Sequence, residues 1–217
     1  MPVPASPTLS KRQQAIPLIA AYMTSGQMEK LNTALNQGLD SGLTINDARE
    51  ILIQLYAYTG FPRSLNALSE LMKVVQHRRL LGIVDAEGRV PSQSVPVGDE
   101  LRRVGKANQT TLSGGPVQGP LFDFAPEINQ FLQTHLFGDI FARDNLDWQS
   151  RELATVGALA SMPGVEAQLL SHMRASMRVG LTSGQLSQLI DVLRKQGETD
   201  AAARAEHALN IALVNKN

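Results

Sequence analysis

Ser41-Gly42-Leu43-Thr44 and Val179-Gly180-Leu181-Thr182 are two versions of one short sequence, placed 138 positions apart. Each lies between two stretches whose apolar residues recur at the three- to four-residue spacing of an amphipathic helix. Three further identities keep the same offset without gaps: Gly26 with Gly164, Leu31 with Leu169, and Leu55 with Leu193. The pattern predicts an internal repeat built from paired helices.

Both copies also carry the residues that end one helix and begin the next. Gly42 and Gly180 suit the left-handed position just after a helix, where a side chain would be strained. Thr44 and Thr182 follow them and suit the N-cap of the next helix, since the hydroxyl can accept from a free backbone N–H. The two copies are therefore predicted to share a helix–turn–helix design.

Helical spacing extends over most of the chain, whereas the alternation typical of strands is never sustained. The fold class predicted is all-α. Helices are predicted at residues 10–24, 27–41, 45–59, 63–81, 126–136, 148–161, 165–179, 183–195 and 199–214.

Composition excludes several classes of function. The 217 residues are 43% hydrophobic, with 20 basic and 20 acidic residues and no cysteine. A packed core is expected, while disulfides, thiolate metal sites and a bulk charge suited to nucleic acid are not. No apolar run approaches the roughly 20 residues that cross a bilayer. The start of the chain lacks the pattern of a secretory leader, so a cytoplasmic location is expected.

Residues 82–121 differ from the rest because they are rich in helix breakers, with a short helical possibility near 99–107. Ser113-Gly114-Gly115-Pro116 is the clearest break. The segment also contains apolar residues, so we expect it to be ordered and packed as a connection between the two copies.

The two copies have lost different residues. The second has His172 where the first has Ala34, and the first continues into Tyr58-Thr59-Gly60-Phe61-Pro62, where the second has Gln196-Gly197-Glu198-Thr199-Asp200. Complementary losses suggest one composite site rather than two.

Two residues of the second copy could carry acid/base chemistry. His172 lies at the border of an apolar stripe, where an imidazole could transfer protons near neutral pH; a structural histidine bonded to a backbone carbonyl is the alternative. Glu152 lies on an inward helix face and needs a partner, for which Arg151, His172 and Arg143 are candidates. A helix-tying ion pair is the alternative role for Glu152, and a solvated helix end is the alternative for Arg143.

Aromatic residues concentrate around Gly60 in the first copy. Tyr58 and Phe61 could form the wall of a pocket, although core packing is the ordinary role of such residues.

These motifs resemble the carboxymuconolactone decarboxylase family, an all-helical superfamily that includes the alkylhydroperoxidase AhpD. The run Phe137 to Asp147 is similar to the family's aromatic-Gly-x-hydrophobic-aromatic-x-Arg-x-x-Leu-Asp pattern. Arg151-Glu152-Leu153, the pair Gln168-Leu169 with His172, and Gly180-Leu181-Thr182 follow in the family's order. Residues 42–44 and 54–62 of the first half are similar to the family's downstream portion.

The chain departs from the family at positions that bear chemistry. In the peroxidase branch two cysteines would fall at Val165 and Gln168, so thiol peroxidase chemistry is excluded here. The decarboxylase branch has Glu where this chain has Gln168, an amide that can hydrogen-bond but cannot transfer a proton. Glu152 is a candidate to supply the missing carboxylate.

The resemblance implies an AhpD-like helical bundle of two tandem modules with a pseudo-dimeric core. The modules would be residues 8–81, which lack the His, and 122–214, which carry the site, joined by residues 82–121. It also implies a lyase or isomerase that needs no cofactor or metal and acts on a small carboxylated lactone or oxo-acid. His172 and Glu152 would be catalytic, and the residues that would bind substrate are Arg143, Gln168, Tyr58 and Phe61.

Two further implications concern the state of the protein. Relatives assemble as trimers or hexamers, so a homo-oligomer is expected, with a trimer of two-module chains favoured. The alternative function is a non-catalytic helical scaffold or small-ligand-binding protein that has kept the fold.

Overall fold

A computed structural model describes residues 8–214, and all regular structure in this range is helical, which confirms the all-α fold. The helices are α1 Lys11–Ser25, α2 Met28–Asp40, α3 Ile45–Thr59, α4 Phe61–Leu80, α5 Gly98–Ser113, α6 Pro120–Phe124, α7 Pro126–Phe131, the π-helix π1 Leu132–Ile140, α8 Trp148–Ala160, α9 Glu166–Arg178, α10 Ser183–Lys195 and α11 Thr199–Val214. Among these described helices, none is long and apolar enough to span a membrane.

The chain divides into two compact units. Within the described range, one unit contains residues 8–89 and 149–214, and therefore α1–α4 with α9–α11 and nearly all of α8. The other contains residues 90–148, with α5, α6, α7 and π1.

Helices of the larger unit recur at a constant offset. α2 begins at Met28 and α9 at Glu166, 138 residues later. α3 and α10 begin at Ile45 and Ser183, again 138 residues apart. α4 and α11 keep the same separation, and α1 and α8 differ from it by one residue. This agreement of helix positions supports the two-module interpretation, which stays a prediction about the origin of the chain.

The turns that define the repeat have matching hydrogen bonds. Gly42 has φ 96° and Gly180 has φ 99°, the left-handed region where glycine is favoured. After each glycine, the next N–H returns to the preceding helix, from Leu43 to the Gly38 carbonyl at 2.9 Å and from Leu181 to the Ser176 carbonyl at 3.0 Å. The capping boxes predicted at Thr44 and Thr182 are both present.

Two helices form the centre of this unit. α1 and α8 are buried along most of their length, and they meet where Gly157 lies against Pro17. A Cβ at Gly157 would lie 2.7 Å from the Pro17 backbone, so this close approach requires glycine. Because α8 is enclosed on all sides, its polar residues must find partners inside the protein.

The smaller unit contains more helix than its sequence predicts. Instead of a short helix near residues 99–107, α5 extends over 16 residues, Gly98–Ser113, and α6 follows at Pro120–Phe124. The helix predicted at residues 126–136 is α7 followed by the π-helix π1. Packing of α5 against π1 accounts for the difference, since tertiary contacts outweigh the weak helix propensity of α5.

Candidate functional site

Three polar residues of α3 lie on one face of that helix, because Glu50, Gln54 and Tyr58 are spaced four residues apart. The side chains of Glu50 and Gln54 are buried. This face packs toward α8, which offers Arg151 and Thr155, also four residues apart. A polar stripe between two helices in a core is unusual and marks a place where specific partners are needed.

Arg151 is fully buried and is held by two residues of α3. Its Nη2 donates to Glu50 Oε1 at 3.0 Å, and its Nη1 donates to Gln54 Oε1 at 3.0 Å. The Gln54 side-chain amide donates in turn to the Thr155 hydroxyl at 2.8 Å and to the Arg151 carbonyl at 3.0 Å. The sequence analysis does not predict Glu50 and Gln54 as site residues. Their four-residue spacing with Tyr58 nevertheless indicates that the three side chains share one face of α3.

The structure brings His172 and Glu152 together. His172 Nδ1 lies 2.8 Å from Glu152 Oε2. The Glu152 side chain is 0% exposed and the His172 side chain is 16% exposed, so the imidazole keeps one edge toward solvent. Ser176 donates to the His172 carbonyl at 2.7 Å, which ties its own side chain to this turn of α9.

Tyr58 completes this cluster from the first half of the chain. Its ring meets the His172 ring edge-on, with the centroids 5.5 Å apart and an interplanar angle of 80°. Burial, and after it the negative charge of Glu152, raises the pKa of the Tyr58 phenol well above its usual value, and the Arg151 charge offsets part of this rise. The phenol is therefore a hydrogen-bond donor at any physiological pH.

Two polar atoms of the cluster are without a hydrogen-bond partner among the described residues. They are the Tyr58 hydroxyl and Glu152 Oε1, and both are buried. Buried polar atoms are almost always satisfied by protein, water or ligand. A donor and an acceptor left over beside the same histidine are suited to a bound molecule that carries oxygen atoms.

The remaining predicted site residues are Phe61, Gln168 and Arg143. Phe61 is 62% exposed and stacks on Tyr56 with the ring centroids 4.4 Å apart. Gln168 is exposed on α9, one turn before His172. Arg143 belongs to the smaller unit, where it is half-buried after the end of π1. The substrate-binding roles of these residues stay predictions.

The repeat shows which half supplies each part of the cluster. The residues 138 positions before Glu152 and His172 are Gln14 and Ala34, so the first copy lacks the acid/base pair. Gln14 instead donates to the Leu9 carbonyl at 2.9 Å. Glu50 and Tyr58 correspond to Gln188 and Gln196 in the second copy. The cluster thus takes its imidazole and carboxylate from one half and its phenol from the other.

Part of the chain is similar in sequence to proteins of a known family. A model of the Carboxymuconolactone decarboxylase family matches residues 126–213. This range includes the whole of α8, which carries Glu152, and the whole of α9, which carries His172. The 4-carboxymuconolactone decarboxylase of Acinetobacter baylyi is 31% identical over 70 residues, which is 32% of this chain and 52% of that protein. The chain thus spans about half the length of this curated relative. Residues 126–213 of this chain are thus similar to the carboxymuconolactone decarboxylase family.

Proposed function

We propose that this protein is an acid/base enzyme of the lyase or isomerase type that acts on a small carboxylated lactone or a related oxo-acid. The observation that carries the proposal is the 2.8 Å contact between His172 Nδ1 and a fully buried Glu152 carboxylate. The substrate class comes from the family and from the name of the Acinetobacter relative, 4-carboxymuconolactone decarboxylase.

The pair fixes the chemistry of the imidazole. When Nδ1 carries its proton and donates to Glu152 Oε2, the lone pair of His172 is on Nε2. Glu152 also holds the ring in one orientation, since the carboxylate is enclosed on every side. His172 Nε2 is then the atom that accepts a proton from the substrate or delivers one to it. A positioned acid/base group of this kind contributes roughly 10²–10⁴-fold to a rate.

Tyr58 is suited to the charge that develops on the substrate. Decarboxylation beside a carbonyl, and proton abstraction from the carbon next to a carbonyl, both place negative charge on an oxygen atom. A buried phenol with a raised pKa donates a hydrogen bond to that oxygen without giving up its own proton. We infer that the Tyr58 hydroxyl binds the enolate-like oxygen while His172 handles the proton.

The test is turnover of 4-carboxymuconolactone and of simpler carboxylated lactones, followed by ultraviolet absorbance. We expect His172→Gln to lower kcat by about 10²–10⁴-fold, since it removes the acid/base group. Glu152→Gln is expected to lower kcat as well, because an amide accepts the Nδ1–H less strongly.

His135→Gln is the matched control. His135 is exposed and bonded to Asp139, so its loss changes a histidine–carboxylate pair that has no role in the proposed reaction. Wild-type kcat in His172→Gln would overturn the catalytic assignment.

A non-catalytic ligand-binding protein is the second candidate. The observation that favours it is Gln168, an amide exposed on α9 at the position where the decarboxylase branch has an acid. In that case, carboxylated lactones would bind with unchanged affinity to wild type and to His172→Gln, and neither protein would turn them over.

A further inference from the structure

The smaller unit contains a cavity of about 290 Å³ that has no part in the proposed reaction. One face of α5 lines it, together with the segment that follows α5, α7 and the first turn of π1. Its lining residues include Arg102, Lys106, Gln109, Asn129 and Gln133, all within residues 90–148.

Three side-chain amides in this cavity are linked by a chain of hydrogen bonds, in which each amide accepts from one neighbour and the first two donate to the next. Arg102 Nε donates to Gln133 Oε1 at 3.5 Å, Gln133 Nε2 donates to Gln109 Oε1 at 3.2 Å, and Gln109 Nε2 donates to Asn129 Oδ1 at 3.0 Å. Every amide oxygen of the chain is thereby engaged as an acceptor. Each amide nitrogen has at least one hydrogen that this chain does not use, so N–H donors are left for a ligand.

The charged side chains that line the cavity also favour a ligand with acceptor oxygens. Arg102 and Lys106 lie four residues apart on α5 and both line the cavity, whereas no carboxylate is among its described lining residues. The nearest acidic residue on α5, Glu100, is already paired with Arg103 at 2.5 Å. Two cations and a row of donors without a carboxylate favour an anion rich in acceptor oxygens.

The fold holds these groups in place through a close helix contact. A Cβ at Gly105 would lie 1.6 Å from the Gln133 carbonyl oxygen, so only glycine lets α5 approach π1 this closely. Gln109 and Gln133 are both buried at this contact. π-helical turns are frequent at functional sites, and this one carries Gln133.

We propose that this cavity binds a small organic oxyanion, a carboxylate or phosphate ester with a compact apolar body. The oxyanion is bound by Arg102, Lys106 and the amide donors. The apolar body lies against Val117, Phe122 and Pro126, which line the same cavity. Neither the family resemblance nor the proposed reaction assigns a ligand to the residues that line this cavity.

The experiment is a titration of the ¹⁵N-labelled full chain with three probes: benzoate, its neutral isostere benzamide, and inorganic phosphate. The readout is the side-chain amide resonances of Gln109, Gln133 and Asn129. Benzoate is expected to shift them saturably, and benzamide to bind about tenfold more weakly or worse, since a charge-assisted hydrogen bond is lost. Tighter binding of phosphate than benzoate at the same resonances would support the oxyanion site and identify it as a phosphate site.

Variants on the exposed face of α5 test the charges without disturbing the core. Arg102→Gln and Lys106→Gln are each expected to weaken benzoate binding about tenfold, whereas Arg103→Gln, one residue from Arg102 but outside the lining, leaves it unchanged. The proposal is overturned if no probe gives a saturable shift, if benzamide binds as well as benzoate, or if Arg103→Gln weakens binding as much as Arg102→Gln.

Discussion

Arg151 and Glu50 form an ion pair that is closed to solvent, with 3.0 Å between Nη2 and Oε1. Desolvation of two charges costs about as much as their attraction returns, so the pair by itself adds little net stability. Removal of one partner is different, because the other charge stays buried and loses this attraction. The pair therefore specifies how α3 and α8 align more than it stabilises their contact.

We predict that Arg151→Met lowers the free energy of unfolding by about 3–5 kcal/mol, because Glu50 stays buried and loses the cation that it is paired with. The double variant Arg151→Met with Glu50→Leu should recover much of this loss, since both charges are removed together. Urea denaturation followed by circular dichroism measures both. Arg103→Gln, which breaks the exposed pair with Glu100, is the control and should change nothing measurable. Equal stability of wild type and Arg151→Met would contradict the buried pair.

The acid/base pair and the ion pair differ in how far the sequence predicts them. Glu152 and His172 are 20 residues apart on consecutive helices, so their helical faces and the family pattern were enough to suggest contact. Glu50 and Arg151 are separated by 101 residues. The local sequence pattern does not predict that the polar face of α3 contacts α8, because that contact depends on how the two repeats pack. The sequence offers Arg151 as a candidate partner for Glu152, whereas in the structure Arg151 forms an ion pair with Glu50.

At the scale of elements, signals within a few residues of a helix end were the most reliable. The predicted helices at residues 45–59 and 183–195 agree with α3 and α10 at both ends, because Thr44 and Thr182 fix where each begins. α5 was underestimated because Gly98 and Gly105 lower its intrinsic helix propensity. The π-helical register of π1 has no local signal either, since it depends on the approach of α5.

Gly105 provides a test of that approach. In an isolated helix, Gly→Ala stabilises by about 1 kcal/mol. In this protein the added Cβ would lie 1.6 Å from the Gln133 carbonyl oxygen, which is backbone and cannot rotate away. We predict that Gly105→Ala destabilises the unit of residues 90–148 and speeds its cleavage in limited proteolysis. Gly115→Ala is the control, because nothing lies within 4 Å of its added Cβ. Equal cleavage rates in the two variants would show that α5 does not rest on π1 through Gly105.

At the scale of the whole molecule, an exposed apolar face of α4 suggests where copies of this chain associate. Phe61, Leu65 and Met72 are 62%, 61% and 55% exposed, and their spacing of four and seven residues places them on one side of the helix. A row of large apolar side chains in water favours contact with another protein surface. The homo-oligomer predicted from the family resemblance offers a surface to cover them, namely a second copy of this chain.

We predict that wild type has the mass of a homo-oligomer, and that Leu65→Glu or Met72→Glu shifts it toward the mass of a single chain, because each places a charge in an apolar contact. Light scattering coupled to size-exclusion chromatography measures the mass. Asn66→Glu adds the same charge to α4 but points away from this row, and it should leave the oligomer intact. If all three variants keep the wild-type mass, α4 is not the contact. Circular dichroism of each variant shows whether the helices stay folded, and so separates loss of assembly from loss of fold. We expect wild-type spectra, because the substituted positions are exposed and the core beneath them is unchanged.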